Sequence, residues 1–477
     1  MVTTRVAEHI KPSEQRTLSF IRTAFPFVSI LGAVYVLALT YLTGFLSISI
    51  FWFGLYFSVY FGVARSKESK FLFELFAFPF IFYTIYMSVT TYVLVDNPET
   101  DFFYAIDSTK FWVRSQEGTS ITNIWNAFKE KAVGLESVGG FRFFYLITLV
   151  TSFLSGLIDQ NNIYVQKLII VFVGSIASPF IYLVLRKYTN SCYAYLSTLL
   201  FVIFSHASTF SVEFLRDIYV YFFYVIGAYL VAIKGGEKVT LFKLLVIALL
   251  VFFTRPEHGV FFLMFVGAYV YLNRRSNRLL FAFLLILTPA ILYLSSFLIS
   301  MSLETYSNYD EIRQRVGDST DSLAARFARF PFGIKHIILA FLSQTVGIPF
   351  WRYLSYEGND LTSVAARSHN GWRFMEAISG TWWIFVWGYV VYAFKKGNFL
   401  KKHVPNEILV LLVVAIGLLL AATADVNVRR IFCVYPLIFF VAAIVRYNSN
   451  PSNRSSVIRG SFFFIIFMYL VYFVLKG

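Results

Sequence analysis

The stretch "VFFTRPEHGVFF", residues 251–262, sets Arg255, Pro256, Glu257 and His258 between two apolar runs. Guanidinium, carboxylate and imidazole groups in such a place are costly to dehydrate, and a chain that keeps them there is generally using them. Two other stretches repeat the pattern: "SVEFLRDIY" carries Glu213, Arg216 and Asp217, and "ATADVNVRRIF" carries Asp425, Arg429 and Arg430. Lys167 falls about a turn into the apolar run that begins near residue 163. Several guanidinium groups gathered on one membrane face suit a phosphate or pyrophosphate, which their planar donor fork grips through two oxygens at once. Arg216, Arg255, Arg429, Arg430 and Lys167 are therefore the candidate phosphate ligands, with Glu257 and His258 in support. A plainer reading stands beside this one for each residue alone. Arg216 would pair with Asp217, Arg255 with Glu257, and Arg429 would reach up to lipid headgroups. Taken together, the group favours a lipid-phosphate site.

A second constellation is "DNPETDFFYAIDSTKFW", residues 96–112. On a helix, Asp101, Tyr104 and Asp107, with Ser108, fall near one side, leaving Phe102, Phe103, Ile106 and Trp112 for lipid. A carboxylate at the bilayer surface beside a cationic phosphate site is placed to take a proton from an attacking hydroxyl, and Asp101 is the candidate general base. The competing reading has Asp101 and Asp107 merely solvating an interfacial helix. "RSHNGW", residues 367–372, offers His369 with an amide and an aromatic ring, a combination that suits an acceptor sugar and also suits a membrane interface. His206, His258, His336 and His369 lack metal-ligand spacing, and no HExxH, CxxC or Asp-x-Asp pattern occurs. No protein-held metal and no cofactor are expected.

The elements that must position these groups follow from composition. The chain has 477 residues, 58% hydrophobic, 20% aromatic and 14% charged, too little charge to cover the several soluble domains such a length implies. Apolar runs of roughly 20 residues point to an all-α, polytopic transmembrane bundle. Helices are expected at 25–43, 47–64, 71–95, 163–185, 192–207, 217–234, 239–254, 259–272, 278–300, 375–394, 406–424, 430–446 and 457–475, about 13 spans in one membrane domain covering 1–477. Two long segments, 96–141 and 301–374, would carry amphipathic surface or re-entrant helices, and the runs 142–158 and 336–350 would be embedded without crossing.

The formal net charge of +15 does not indicate nucleic acid here. Most Lys and Arg fall in alternate short loops, which the positive-inside rule assigns to the cytoplasm together with the N-terminus. The long segments and the candidate site then face outside. Cys192 and Cys433 fall near opposite faces and are expected to stay unpaired. The first apolar run, which no small-residue cleavage site follows, reads as a retained helix. No internal repeat is visible, and "RYNSNPSNRSSVIRG" reads as a polar inner connector.

On these motifs the chain resembles the GT-C superfamily of membrane glycosyltransferases and the bacterial Wzy-type polysaccharide polymerases. "TDFFYAI", with Asp101 and Tyr104, looks like the acidic opening of that superfamily's first outer loop. "FLRDIYVYFFYVIGAYL" and "FFTRPEHGVFFL" look like its Arg-Asp and Arg-Pro helix pair, and "IPFW" and "NVRRIFCVYPLIFF" like later segments. Two helices precede the acidic loop here, and Thr100 separates Glu99 from Asp101 where some members have an adjacent acidic pair. The resemblance implies a metal-independent transfer of glycan from a polyprenyl-phosphate or pyrophosphate carrier on the outer face of a bacterial inner membrane. Arg216, Arg255, Arg429 and Arg430, helped by Lys167, would hold the carrier phosphate, and Asp101 would activate the acceptor. Polymerisation of O-antigen or similar repeat units leads, beside membrane lipid and other polysaccharide-assembly proteins as partners. A single-sugar transferase and, in a different class, a lipid-linked oligosaccharide flippase remain as alternatives.

Overall fold

In lipid an apolar run can satisfy its backbone groups only internally, and every described element is helical. The computed structural model describes residues 12–93, 106–126, 142–234, 238–273, 341, 344–345, 364–422 and 428–476. Asp101, Tyr104, His336, Asp425 and the expected span 278–300 lie outside the described residues. Helices α1 (Pro12–Thr43), α2 (Leu46–Val63) and α3 (Ser69–Ser88) open the chain, and a π turn at Val89–Val93 ends α3. Then come α4 (Ile106–Ser115), α5 (Arg142–Gly156), α6 (Ile163–Tyr188), α7 (Ser191–Phe204) and the short α8 (His206–Phe210). The middle of the chain holds α9 (Asp217–Ile233), α10 (Lys238–Thr254) and α11 (Pro256–Leu272). The remainder is α12 (Val364–Lys395), α13 (Asn398–His403), α14 (Asn406–Ala422), α15 (Val428–Ile431), α16 (Tyr435–Asn448) and α17 (Pro451–Lys476). This is an all-α bundle of membrane type.

Among the described residues six helices are long and apolar enough to cross a membrane: α1, α2, α3, α6, α12 and α17. Helices α5, α7, α9, α10, α11, α14 and α16 are apolar but only 14 to 17 residues long. At about 1.5 Å per residue they reach roughly 21–26 Å, less than the ~30 Å hydrocarbon core. The charged motifs lie at the ends of these shorter helices, in the turns before α9 and between α10 and α11.

Helix α6 is the centre of the bundle, packing against α2, α3, α5, α7, α9 and α16. Its apolar stretch and that of α3 are each 72% buried, against 17% for α1 and α17, so the last two form the periphery. There Phe20, Phe27 and Leu37 on α1, and Phe462, Phe467 and Leu470 on α17, point outward as a lipid-facing surface would require. Gly44, at φ +76°, makes the tight turn from α1 to α2, a backbone conformation glycine adopts without steric cost.

Ion pairs tie several loops into one basic end. Arg186 Nε lies 3.6 Å from Glu68, Lys187 Nζ 3.7 Å from Glu407, and Arg22 Nε 3.5 Å from the buried Glu74. The turns bearing Glu213, Arg216 and Arg255 are at the opposite end of their helices.

Three boundaries differ from the sequence expectation. Helix α12 begins at Val364, so "RSHNGW" is helical and leads into the apolar stretch Phe374–Lys395, Ala365 and Ala366 before it being good helix formers. The expected connector "RYNSNPSNRSSVIRG" is helical apart from Ser449 and Asn450, because Pro451 starts α17 at a position that needs no amide proton. The expected helix 430–446 is interrupted by a 3₁₀ turn at Phe432–Val434. The run 142–158 forms α5, which packs on α4, α6 and α10. Of the run 336–350, Gln344 accepts from Trp383 Nε1 at 2.7 Å and Trp387 Nε1 at 2.9 Å, which pins it to α12.

Candidate functional site

The short hairpin α10–α11 places Arg255. The chain breaks for this one residue, Pro256 opens α11, and Gly259 lets the two helices close up, a Cβ there standing 2.5 Å from Phe252 Cα. Glu257 and His258 thus belong to the first helical turn and not to a loop. Arg255 is buried, at 2% exposure, yet charged. Its Nε donates to Glu257 Oε1 at 2.6 Å and its Nη1 donates to Asp217 Oδ1. Asp217, in the first turn of α9, places its other oxygen 3.4 Å from Arg429 Nε. Three arginine-bearing turns, those of Arg216, Arg255 and Arg429, therefore meet around one carboxylate.

The electrostatics follow. Burial opposes the charge of Arg255, but Asp217 and then Glu257 more than restore it, raising its pKa above the usual arginine value. Burial and the neighbouring Arg255 lower Arg216 to about 10, with Glu257 and Asp217 opposing the shift. Arg216 and Arg255 both remain cationic at neutral pH. Among the described side chains three guanidinium groups, those of Arg216, Arg255 and Arg429, lie about two carboxylates, Asp217 and Glu257. Breaking such a buried pair on one side costs more than the pair contributes, since it strands a charge.

Beside it His258 is buried, with Tyr224 Oη 3.3 Å and Cys433 Sγ 3.8 Å from its Nδ1. Cys192 and Cys433 are both free. His206 is also fully buried, edge-on to Tyr435 at 5.4 Å, and its ring nitrogens have no hydrogen-bond partner.

A second buried pair lies where α3, α4, α6 and the turn after α8 meet. Asn162 caps α6 by accepting from Val165 N at 3.0 Å, which fixes Lys167 just over a turn inside. Lys167 Nζ donates to Thr91 Oγ1 at 3.1 Å and lies 3.9 Å from Glu213 Oε2. The π turn of α3 presents that threonine, an irregularity that often marks a used position. Glu213 Oε1 accepts from Ser108 Oγ at 2.8 Å. Helix α4 is held to this turn by Phe111 against Phe144 of α5, and by both rings against Phe214.

Set against the sequence expectations, Arg255 and Arg429 are joined through Asp217, Glu257 is held by Arg255, and Arg216 and His258 are adjacent. Lys167 belongs to the second pair with Glu213 and does not contribute to the Asp217 junction among the described contacts. Asp107 lies on α4 next to Ser108, so its helix is docked against Glu213. Arg430 lies on α15 and His369 on α12; the side chains of Asp107, Arg430 and His369 are outside the described part. From sequence, Asp217 is expected only as a partner of Arg216 and Cys433 only as an unpaired cysteine, Glu213 has no assigned role, and nothing singles out Thr91 or Tyr224. Adjacency of acid and base in "LRD" was the available signal for Asp217; nothing short-range links Lys167 to Thr91. Among the described residues no group of three or more His, Cys, Asp or Glu side chains is arranged to hold a metal ion. Comparisons with family models, curated proteins and solved structures return no match to this chain, so any reading of its function rests on the residues and geometry above.

Proposed function

We propose that the chain is an integral-membrane glycosyltransferase acting on a polyprenyl-(pyro)phosphate-linked glycan, and that it extends surface-polysaccharide repeat units of the O-antigen kind. The observation that carries this reading is the Arg255–Asp217–Arg429 junction, a preorganised gathering of guanidinium groups where the turns before α9 and between α10 and α11 meet α15. The basic end would lie in the cytoplasm by the positive-inside rule, placing the junction on the periplasmic side of a bacterial inner membrane. In this reading Arg255 is a positioning residue, held by two carboxylates, while Arg216, Arg429 and Arg430 contact the carrier phosphate.

The acceptor hydroxyl would attack the anomeric carbon, Asp101 would take its proton, and the bond from that carbon to the phosphate oxygen would break. The electron pair leaves with the phosphate, where guanidinium groups already in place stabilise it more than they stabilise the bound substrate. Tyr104, Asp107 and His369 would line the acceptor side. Lys167 and Glu213 fix the helix that follows Asp101 and Tyr104 in the chain.

Purified protein in proteoliposomes, supplied with a polyprenyl-pyrophosphate-linked repeat unit, tests the proposal. The expected result is longer carrier-linked glycans with one polyprenyl pyrophosphate released per bond formed. Carrier lipid bound and moved between leaflets without any new glycosidic bond would overturn it in favour of a flippase.

A further inference from the structure

Away from the arginine junction, a cleft of about 50 Å³ opens between α7, α12 and α16. Its walls include Tyr193, Leu200, Phe385, Phe439 and Ala442, and Arg446 closes it at the basic end. Leu200 is 38% exposed, so the cleft opens sideways towards lipid. Arg446 is exposed at the last turn of α16. Arg454 folds back beside it, donating from Nε to the carbonyl of Arg446 and from Nη2 to that of Tyr447, each at 2.9 Å. No described carboxylate forms an ion pair with either arginine. Tyr389, which also lines the cleft, is 94% buried and its hydroxyl has no hydrogen-bond partner.

A buried hydroxyl needing an acceptor, two cations without an acidic partner among the described residues and an apolar channel leading from them towards the membrane interior describe one kind of occupant. We infer that this cleft is a binding site for an anionic phospholipid of the leaflet at the basic end. The lipid phosphate would sit between Arg446 and Arg454, and Tyr389 would donate to a phosphate or ester oxygen. One acyl chain would then run past Phe385 and Phe439 towards Leu200. Tyr193 and Leu200 are seven residues apart on α7, about 10 Å along its axis, well within the half-thickness of the hydrocarbon core. The site is independent of the proposed transferase chemistry, being at the other end of the bundle.

The test is mass spectrometry of the intact protein released from bilayers of phosphatidylglycerol and phosphatidylcholine mixed in equal parts. Wild type is expected to retain phosphatidylglycerol well above its share. Arg446→Gln should lower that preference about fivefold, the effect of one surface cation on an anionic lipid, and adding Arg454→Gln should abolish it. Ala442→Leu, which fills the channel, should reduce retained lipid of both kinds. Arg446 is exposed, so its replacement leaves the fold intact. Retention in the bulk ratio by wild type, or an unchanged preference in the double variant, would overturn the inference.

Discussion

Asp217 stands between two arginines from distant parts of the chain, its Oδ1 accepting from Arg255 and its Oδ2 lying 3.4 Å from Arg429 Nε. A single carboxylate thereby fixes the spacing of two cations, one in the break between α10 and α11 and one on α15, and in the proposed reaction the geometry available to a phosphate depends on it.

Asp217→Asn should be among the most damaging single changes, since it leaves Arg255 buried without its main counter-charge. A loss of about 3–5 kcal/mol is expected. Asp217→Leu combined with Arg255→Met removes both buried charges and should recover more than half of that stability while abolishing transfer. Thermal unfolding of the detergent-solubilised protein checks the first part. Equal stability of the double variant and Asp217→Asn would contradict the pairing.

Lys167 and Glu213 should behave as a coupled pair. Either Lys167→Met or Glu213→Gln alone strands a buried partner, whereas the two together should cost less than their sum by about 1–3 kcal/mol. A double-mutant cycle on unfolding measures this directly. Additive losses would place the two residues in separate roles.

Arg429 is only partly buried, at 15% exposure, and is the better test of ligand contact. Arg429→Ala should leave the folded protein abundant and lower transfer by roughly 10²-fold or more, the usual effect of removing one donor from a developing charge. Arg429→Lys should fall between, because it keeps the charge and loses the two-pronged donor. Reconstituted transfer rates check both variants.

Gly259→Ala should disturb the α10–α11 hairpin, since the new methyl would stand 2.5 Å from a backbone atom, Phe252 Cα. Neither helix can yield there by a rotamer change alone. A destabilisation of about 1–3 kcal/mol is expected, read as a lower melting temperature.

The membrane-type helical fold was legible because apolar run length directly reflects what a bilayer demands of a backbone. Helix ends were less so. Pro451 reads as a breaker in a polar stretch but serves as a first-turn residue, and nothing in "RSHNGW" announces that α12 has already begun. At the site, the unusual charges in "RDIY" and "TRPEH" were visible as sequence. Sequence neighbours suggested Arg255 with Glu257, which is found, and Arg216 with Asp217. The distant partners of Asp217, Arg255 and Arg429, are brought to it only by the packing of α9 against α10 and the turn at Phe432–Val434. The Lys167–Thr91 contact likewise depends on the π turn that shifts the end of α3.

The central claim is most directly tested in a strain lacking this protein, by resolving surface-glycan length on a gel after complementation with wild type, Asp101→Asn or Arg429→Ala at matched membrane levels. The account predicts that wild type restores long chains and that both variants leave single repeat units exported and attached but not extended. Normal chain lengths from both variants would contradict the site, and carrier-linked units trapped on the cytoplasmic side of the deletion strain would contradict the transferase itself.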